Sequence, residues 1–484
     1  MTGKLLFVIN RIGTMEIFSL PILSAIAKQK GWEVRLAEVA GNMRRVIREA
    51  KVFGPDVIAY SVCSNEANLY LDINNKLKQN LSFFSLFGGP HVTYFPSFIE
   101  NEKVDAVCRG EGDIALGMFL EHFGTEKMQQ TPNFIFKNAE DSRIENELLP
   151  LVENLDSLPF PDREIIYTKN YFQRKTPIKS FFAGRGCPFQ CSYCFNHSFN
   201  KLYKGKGKVL REKSVDYLIA EIKSVEHPLT FIKFHDDVFG MNKEWFTEFA
   251  EKYPAEVGLP FLCYARPNMV DEEYVRLLKK SGCFSVSIAA EAGDAHIRNV
   301  VLRRNMKDED IENACKLLMD SGIRVYLLSM IGNPGEDEEM MLKTIRLNQK
   351  IRPDFADASI LQPYIGTDIH AYCLEQDLID SKIDTFNSQF SDSVIRFDDN
   401  LKKRIYYYHR YFSRMVDHPE FLVKLQRRMG RTSFLNSSFS RFYANLFYRF
   451  YYGYFLHKRI YKSQIPLYLT FLGGIRILFS RNRT

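Results

Sequence analysis

Gly184-Arg-Gly-Cys187-Pro-Phe-Gln-Cys191-Ser-Tyr-Cys194 is the stretch on which the reading of this sequence turns. Three cysteines within eight residues, spaced C-x3-C-x2-C, follow directly on an apolar, β-rich run, IKSFFA (178–183). Thiolates this close in sequence can converge on one iron–sulfur cluster, and a 4Fe-4S cluster with three protein ligands leaves one iron open to a substrate. Two other readings stand beside it: a structural zinc with His197 as fourth ligand, or three unrelated thiols. Nine cysteines, an odd number, with only this tight grouping, fit reduced thiols plus one cofactor site.

Outward from that stretch, further apolar runs recur at LTFIKF (229–234), PFLCYA (260–265), FSVSIAA (284–290), IRVYLLSMI (323–331) and FADASIL (355–361). Helical patterns at 214–225, 243–253, 271–281, 308–321 and 337–350 separate them. Six βα units predict a partial (β/α)6 TIM-type barrel over 176–369, with its chemistry at the strand C-termini. Residues 1–125 alternate LLFVI (5–9), WEVRLAEV (32–39), DVIAYSV (56–62), FFSLFG (83–88) and VDAVCRG (104–110) with helical patterns. That alternation predicts a doubly wound, Rossmann-like parallel sheet, which takes ligands at the carboxyl ends of its strands. Residues 126–175 lose the alternation and predict a linker with a short hairpin. The expected class is α/β, with a helical region at 370–484.

Charge divides the chain as sharply as pattern does. Residues 401–484 hold 17 Lys and Arg against only Asp417 and Glu420, a net +15 within a total of +7, so residues 1–400 carry −8. The same segment contains 21 of the 67 aromatic residues. The first residues, MTGKLLFVINRIG, show no secretory signal pattern, and the apolar run Ile465–Phe479, broken by Gly473, Gly474 and Arg476, is too short to span a bilayer. The expectation is a cytoplasmic protein, with peripheral contact at the inner membrane face as a variant of it.

The cysteine stretch resembles the signature of the radical S-adenosylmethionine (SAM) superfamily, C-x3-C-x-aromatic-C, matched by Cys187, Cys191, Tyr193 and Cys194. The resemblance implies that the three cysteines bind a 4Fe-4S cluster whose open iron chelates SAM. It also implies reductive cleavage to a 5′-deoxyadenosyl radical, fed by an electron donor of flavodoxin or ferredoxin type. Tyr193 would pack on the adenine, or be an ordinary core aromatic. Later strand ends extend the match. Asp236 and Asp237, in Phe234-His-Asp-Asp-Val-Phe239, stand where the family places a polar group near the methionyl ammonium, a charge that needs a partner in a dry cavity; a helix N-cap pair is the alternative. Arg266 and, more weakly, Arg303 are candidates for the SAM carboxylate, which a guanidinium can bind bidentately. Glu291 would face the ribose. Ile331–Glu336 resembles the segment that lines the adenine, and Pro363–Thr367 the turn after the sixth strand.

A doubly wound domain ahead of such a barrel resembles the cobalamin-binding-domain radical SAM enzymes. Ser61, Gly88 and Gly89 match that domain's serine and paired-glycine positions beside the dimethylbenzimidazole tail. The family's Asp-x-His-x-x-Gly loop is absent: the corresponding residues read Asn10-Arg-Ile-Gly-Thr-Met-Glu, without a histidine to ligate cobalt. His91 reads as structural. The resemblance thus implies cobalamin as a third cofactor, or else a degenerate domain that only braces the barrel.

The implied activity is methylation of an unactivated centre of an unknown small-molecule or lipid-like substrate. Radical cyclisation, rearrangement or oxidation without methyl transfer is the alternative, and a non-catalytic cluster or cobalamin sensor with a membrane-binding tail is a reading of another class. The basic aromatic tail admits an interfacial helix pair, a lid over the barrel mouth, a nucleic-acid surface, which is the weakest of these, or a helical cap whose aromatics are core.

Overall fold

The computed structural model describes residues 3–137, 143–381, 392–462 and 465–466. The described residues form two compact units: those within 3–176 together with 199–211, and those within 177–198 together with 212–466.

The first unit is built on a seven-stranded sheet of order β2-β1-β3-β4-β5-β6-β7. Its strands are β1 (Lys4–Ile9), β2 (Glu33–Glu38), β3 (Val57–Ser61), β4 (Phe84–Gly88), β5 (Ala106–Cys108), β6 (Phe134–Lys137) and β7 (Arg143–Glu145). The five strands β1 to β5 pair in parallel, and their apolar runs are buried on both faces by helices, as such sheets require. Residues 126–175 contain a short hairpin, as expected: β6 and β7 pair antiparallel, and β6 extends the sheet beside β5. Two short helices, Glu164–Tyr167 and Tyr171–Lys175, follow. Segment 199–211 also belongs to this unit, because Arg211 pairs with Glu111 at 2.9 Å and the Tyr203 hydroxyl accepts from the Glu111 N–H. Pattern could not show this, since those partners are about a hundred residues away.

The second unit carries β8 (Ile178–Phe181), the short strand β9 (Gly184–Arg185), β11 (Phe231–Phe234), β12 (Phe261–Ala265), β13 (Cys283–Glu291), β14 (Arg324–Ile331) and β15 (Phe355–Ile360), and the two-residue β10 (Arg211–Glu212) lies where the chain passes from the first unit into it. Its six-stranded sheet has the order β15-β14-β13-β12-β11-β8, all parallel, the expected half-barrel. Alternation sorts its faces. Ile232, Phe234, Cys263, Val286, Ile288, Val325 and Leu327 pack against the outer helices. Ile178, Phe231, Leu262, Tyr326 and Phe355, at or near the beginnings of their strands, pack instead on Leu456 and Ile460 of the helix Ser438–Ile460.

That helix corrects the lid expectation for the described residues. It closes the half-barrel at the end opposite the cysteines, with the Ser285 hydroxyl donating to the Ile460 carbonyl and the Tyr326 and Tyr452 hydroxyls 3.3 Å apart. A second tail helix, Asp399–Asp417, lies along the edge strand β15, where the Ser413 hydroxyl donates to the Ala356 carbonyl. Much of the tail's aromatic content is therefore core, as one of its readings held. Among the described residues no helix is long and apolar enough to cross a membrane.

Candidate active site at the strand C-termini

The cysteine loop leaves β8 at the C-terminal edge of the half-barrel and is clamped from two sides. Ser192 donates through its hydroxyl to the Val301 carbonyl and through its N–H to the Leu302 carbonyl, while its own carbonyl accepts from the Ile369 N–H. Cys187 and Cys191 are buried and Cys194 is half-buried. Burial pushes the Cys194 thiol up to about 12 and the Cys187 thiol upward; Cys191 and Asp237 raise both further, and Cys187 also raises Cys194. Binding iron therefore requires proton release at this loop.

Two guanidiniums offset that cost. Arg266, which follows β12, points one N–H at the Cys191 sulfur at 3.4 Å and lies 3.9 Å over the Phe189 ring. Arg304 reaches the same sulfur at 3.7 Å and the Tyr193 hydroxyl at 3.3 Å, and it donates to the Ala289 carbonyl. Tyr193 in turn donates to Glu291 Oε1 at 2.6 Å. Arg266, Arg304, Tyr193 and Glu291 are thus gathered around Cys191. A cluster with three thiolate ligands carries net negative charge, so buried cations suit it, and N–H donors to cluster sulfurs belong to such sites. Among the described residues no three His, Cys, Asp or Glu side chains converge tightly enough to hold a single metal ion. His197, the candidate fourth zinc ligand, is 3.3 Å from Asp368.

Arg303 does not join this group. Its side chain is 54% exposed and pairs with Asp368 at 2.7 Å, whereas that of Arg304 is 8% exposed. Of the two arginines in Val-Leu-Arg-Arg, the weaker sequence candidate Arg303 is thus the outward one and Arg304 the buried one. A π-helical turn, Ile297–Val301, precedes the pair, and Glu291, Arg303 and Asn305 adopt φ of +65°, +53° and +51°. Left-handed backbone at residues other than glycine is strained, and here it sits on a buried frame. Arg298 braces it by donating to the Ala292 and Met306 carbonyls and pairing with Asp308 at 2.6 Å.

The two adjacent aspartates part ways. Asp236 is buried and accepts from the Ala183 and Gly184 N–H groups at 3.1 and 2.5 Å, so it fixes the exit from β8; burial still pushes it up to about 7. Asp237 is exposed, accepts from Asn196 and the Gly186 N–H, and lies close enough to raise the Cys187 and Cys194 thiols. Of the pair, only Asp237 is accessible to a ligand's ammonium. After β14, Glu336 is buried, accepts from the Asn333 N–H and side-chain amide, and is pushed by burial up to about 8.

In the first unit, Ser61 ends β3 directly opposite Gly88 at the end of β4. A Cβ on Gly88 would meet only carbonyl oxygens at 3.9 and 4.0 Å. Gly89, at φ +98°, has no such room: a Cβ would lie 2.7 Å from the Val62 nitrogen and 3.2 Å from the Ser61 hydroxyl. Ser61 and Gly88 thus form an open edge, and Gly89 is there to turn the chain away from it. His91 is structural, stacked on Phe95 at 4.7 Å and 3.2 Å from the Ser64 hydroxyl. The loop after β1 is held by Asn170 and Gln173, which both donate to the Gly13 carbonyl.

Residues 182–347 match the Radical SAM superfamily and residues 6–120 the B12 binding domain. The chain belongs to the radical SAM enzymes that carry a B12-binding domain.

A protein of Pyrococcus horikoshii named an uncharacterized methyltransferase is 26% identical over 340 residues, 68% of this chain and 72% of its own. The hopanoid C-3 methylase of Methylococcus capsulatus is 24% identical over 73% of this chain and 68% of its own. The anaerobic magnesium-protoporphyrin IX monomethyl ester cyclase of Cereibacter sphaeroides is 26% identical over 58% of this chain and 46% of its own. In fold, the radical SAM methyltransferase TsrM from Kitasatospora setae, solved with cobalamin and a 4Fe-4S cluster, superposes with a TM-score of 0.62 at 16% identity, covering 78% of each chain. This radical SAM enzyme uses a 4Fe-4S cluster, SAM and cobalamin, and both sites described above have the residue types those groups need.

Proposed function

We propose that this enzyme transfers a methyl group to an unactivated centre of a small-molecule or lipid-like substrate. One geometric observation carries the residue assignment: two buried guanidiniums, a tyrosine–glutamate pair and the three cysteines meet at one strand-end site. Bound there, the cluster and SAM supply a 5′-deoxyadenosyl radical and cobalamin supplies the methyl group. Cys187, Cys191 and Cys194 hold the cluster. Arg304 and Arg266 are the cations for the SAM carboxylate, and Asp237 is the carboxylate for its ammonium. Glu291, already an acceptor of the Tyr193 hydroxyl, takes a ribose hydroxyl while Tyr193 borders the adenine. Ser61 and Gly88 receive the cobalamin tail. A flavodoxin- or ferredoxin-type donor reduces the cluster, and the C-terminal region makes a peripheral contact with a membrane.

The likeness to the cyclase favours a second reading, radical cyclisation or oxidation without methyl transfer. Mass spectrometry of SAM products from anaerobically reconstituted enzyme separates the two. S-adenosylhomocysteine together with 5′-deoxyadenosine is the expected result; 5′-deoxyadenosine alone supports the second reading, and neither product, with Cys191→Ala as control, overturns both.

A further inference from the structure

The helix Ser438–Ile460 has two apolar faces, of which the described residues bury only one. Ala444, Tyr451, Leu456 and Ile460 are buried in the half-barrel and tail cores. On the other side Phe439, Phe442, Tyr443, Leu446, Phe450 and Tyr454 are exposed, Phe439 to 77% and Phe450 to 67%. Their spacing confines them to one arc of about 120° at 100° per residue. The Phe450 and Tyr454 rings stack in the open, 5.9 Å apart. A contiguous exposed apolar stripe of this kind marks a surface that meets something.

Charge states what it meets. No acidic residue occurs from 421 to 484. Arg449 and Lys458 border the stripe on either side, and Lys424, Arg427, Arg428 and Arg431, on and just after the preceding helix Pro419–Met429, are exposed. Aromatic rings on one helical face, bordered by cations in a segment whose sequence holds no acid, match an anionic lipid surface, where each nearby Lys or Arg adds roughly 1 kcal/mol of attraction. Exposed aromatics on a protein–protein face would need no such exclusion of acids.

We propose that this stripe is the membrane-docking face of the enzyme, seating on the headgroup layer of an anionic bilayer with Phe442, Leu446 and Phe450 inserted. The proposal rests on the peripheral contact named above and gives it a surface. A docked enzyme meets a lipid-like substrate in two dimensions, with the half-barrel floor on the reverse side of the docking helix.

The test is sedimentation of full-length reconstituted enzyme with vesicles of phosphatidylcholine alone or with 30% phosphatidylglycerol. Expected are pelleting with the anionic vesicles only, weakening as salt rises, and at least a tenfold loss in a Phe442→Ser/Phe450→Ser variant whose melting temperature is unchanged. Equal partition of variant and native protein overturns the proposal. So does a native dimer in analytical ultracentrifugation that the same substitutions split, which would make the stripe a contact between copies. The yield of 5′-deoxyadenosine from SAM, measured in the same preparations without vesicles, reports the proposed chemistry separately: it survives in the variant if only docking is affected.

Discussion

Replacing Arg304 and Arg303 separately by glutamine tests the site where it differs most from its sequence reading. The two residues are adjacent and chemically identical, so only their surroundings distinguish them. Arg304 is buried against Cys191, Tyr193 and the Ala289 carbonyl. On the proposed assignment a charge-assisted bond from it to the SAM carboxylate would be shielded from water and contribute about 1.5–3 kcal/mol, which corresponds to a loss of SAM affinity of about 10- to 150-fold in Arg304→Gln. Arg303 lies in a half-exposed ion pair with Asp368, and such pairs contribute about 0–1 kcal/mol, so Arg303→Gln should shift SAM affinity by less than about fivefold. The assay is equilibrium dialysis of labelled SAM against anaerobically reconstituted protein, with iron and sulfide determined on each sample to show that the cluster is retained. Arg304→Lys, which keeps the charge but not the fork, should fall between native and Gln. Equal losses in the Arg303 and Arg304 variants, or unchanged affinity in Arg304→Gln with full cluster content, would refute the assignment.

Other outcomes follow from single residues. Gly89→Ala, which places a Cβ 2.7 Å from the Val62 nitrogen at φ +98°, should lower the melting temperature measurably, while Gly88→Ala should leave it nearly unchanged and weaken retention of hydroxocobalamin in gel filtration. Ile460→Ala removes a fully buried side chain from the half-barrel floor and should cost about 2–5 kcal/mol in chemical denaturation, against under about 0.5 kcal/mol for Phe450→Ser on the exposed face of the same helix. Asp357 is buried beneath Tyr448, and burial pushes its carboxyl up to about 8. The folded state then binds the proton that the unfolded chain releases near its ordinary value of about 4, so this group lowers stability progressively as pH rises from about 4 to 8. Asp357→Asn should therefore stabilise more at pH 8 than at pH 5; an equal effect at both would show that the carboxyl is not held neutral.

Both sheets were legible in the sequence because parallel strands buried on two faces are continuous apolar runs, as DVIAYSV and IRVYLLSMI show. The cysteine loop was legible because its three ligands lie within eight residues. What escaped notice depends on distance or on backbone strain. A short hairpin was expected within 126–175, but its polar sequence carries no sign that β6 would join the sheet beside β5. The attachment of segment 199–211 to the first unit rests on Glu111, about a hundred residues earlier. The choice between Arg303 and Arg304 hangs on a π-turn and three left-handed residues, for which one-residue periodicity offers no signal. A faint one exists in retrospect: Arg298, Arg303 and Arg304 are three cations in seven residues next to apolar Ile297, Val301 and Leu302, an unusual density for a solvated helix.

The tail shows why composition alone misplaces function. Its aromatics suggested a surface, yet many are core, since Tyr407, Tyr408 and Phe412 are buried in the helix Asp399–Asp417 along β15. A half-barrel of six strands has an unpaired edge and an open floor, and burying both takes large apolar side chains from outside the βα repeat. The helices Asp399–Asp417 and Ser438–Ile460 supply them, which accounts for the inward aromatics without any ligand. It does not account for Phe439, Phe442, Leu446, Phe450 and Tyr454, which remain exposed among the described residues. Nor does it account for a helix of 23 residues that contains no acid. Stability alone would favour polar residues there, since each exposed ring adds to the risk of aggregation. On the docking proposal the two faces of that helix answer to different demands: the inner to closing a barrel, the outer, bordered by Arg449 and Lys458, to an anionic surface.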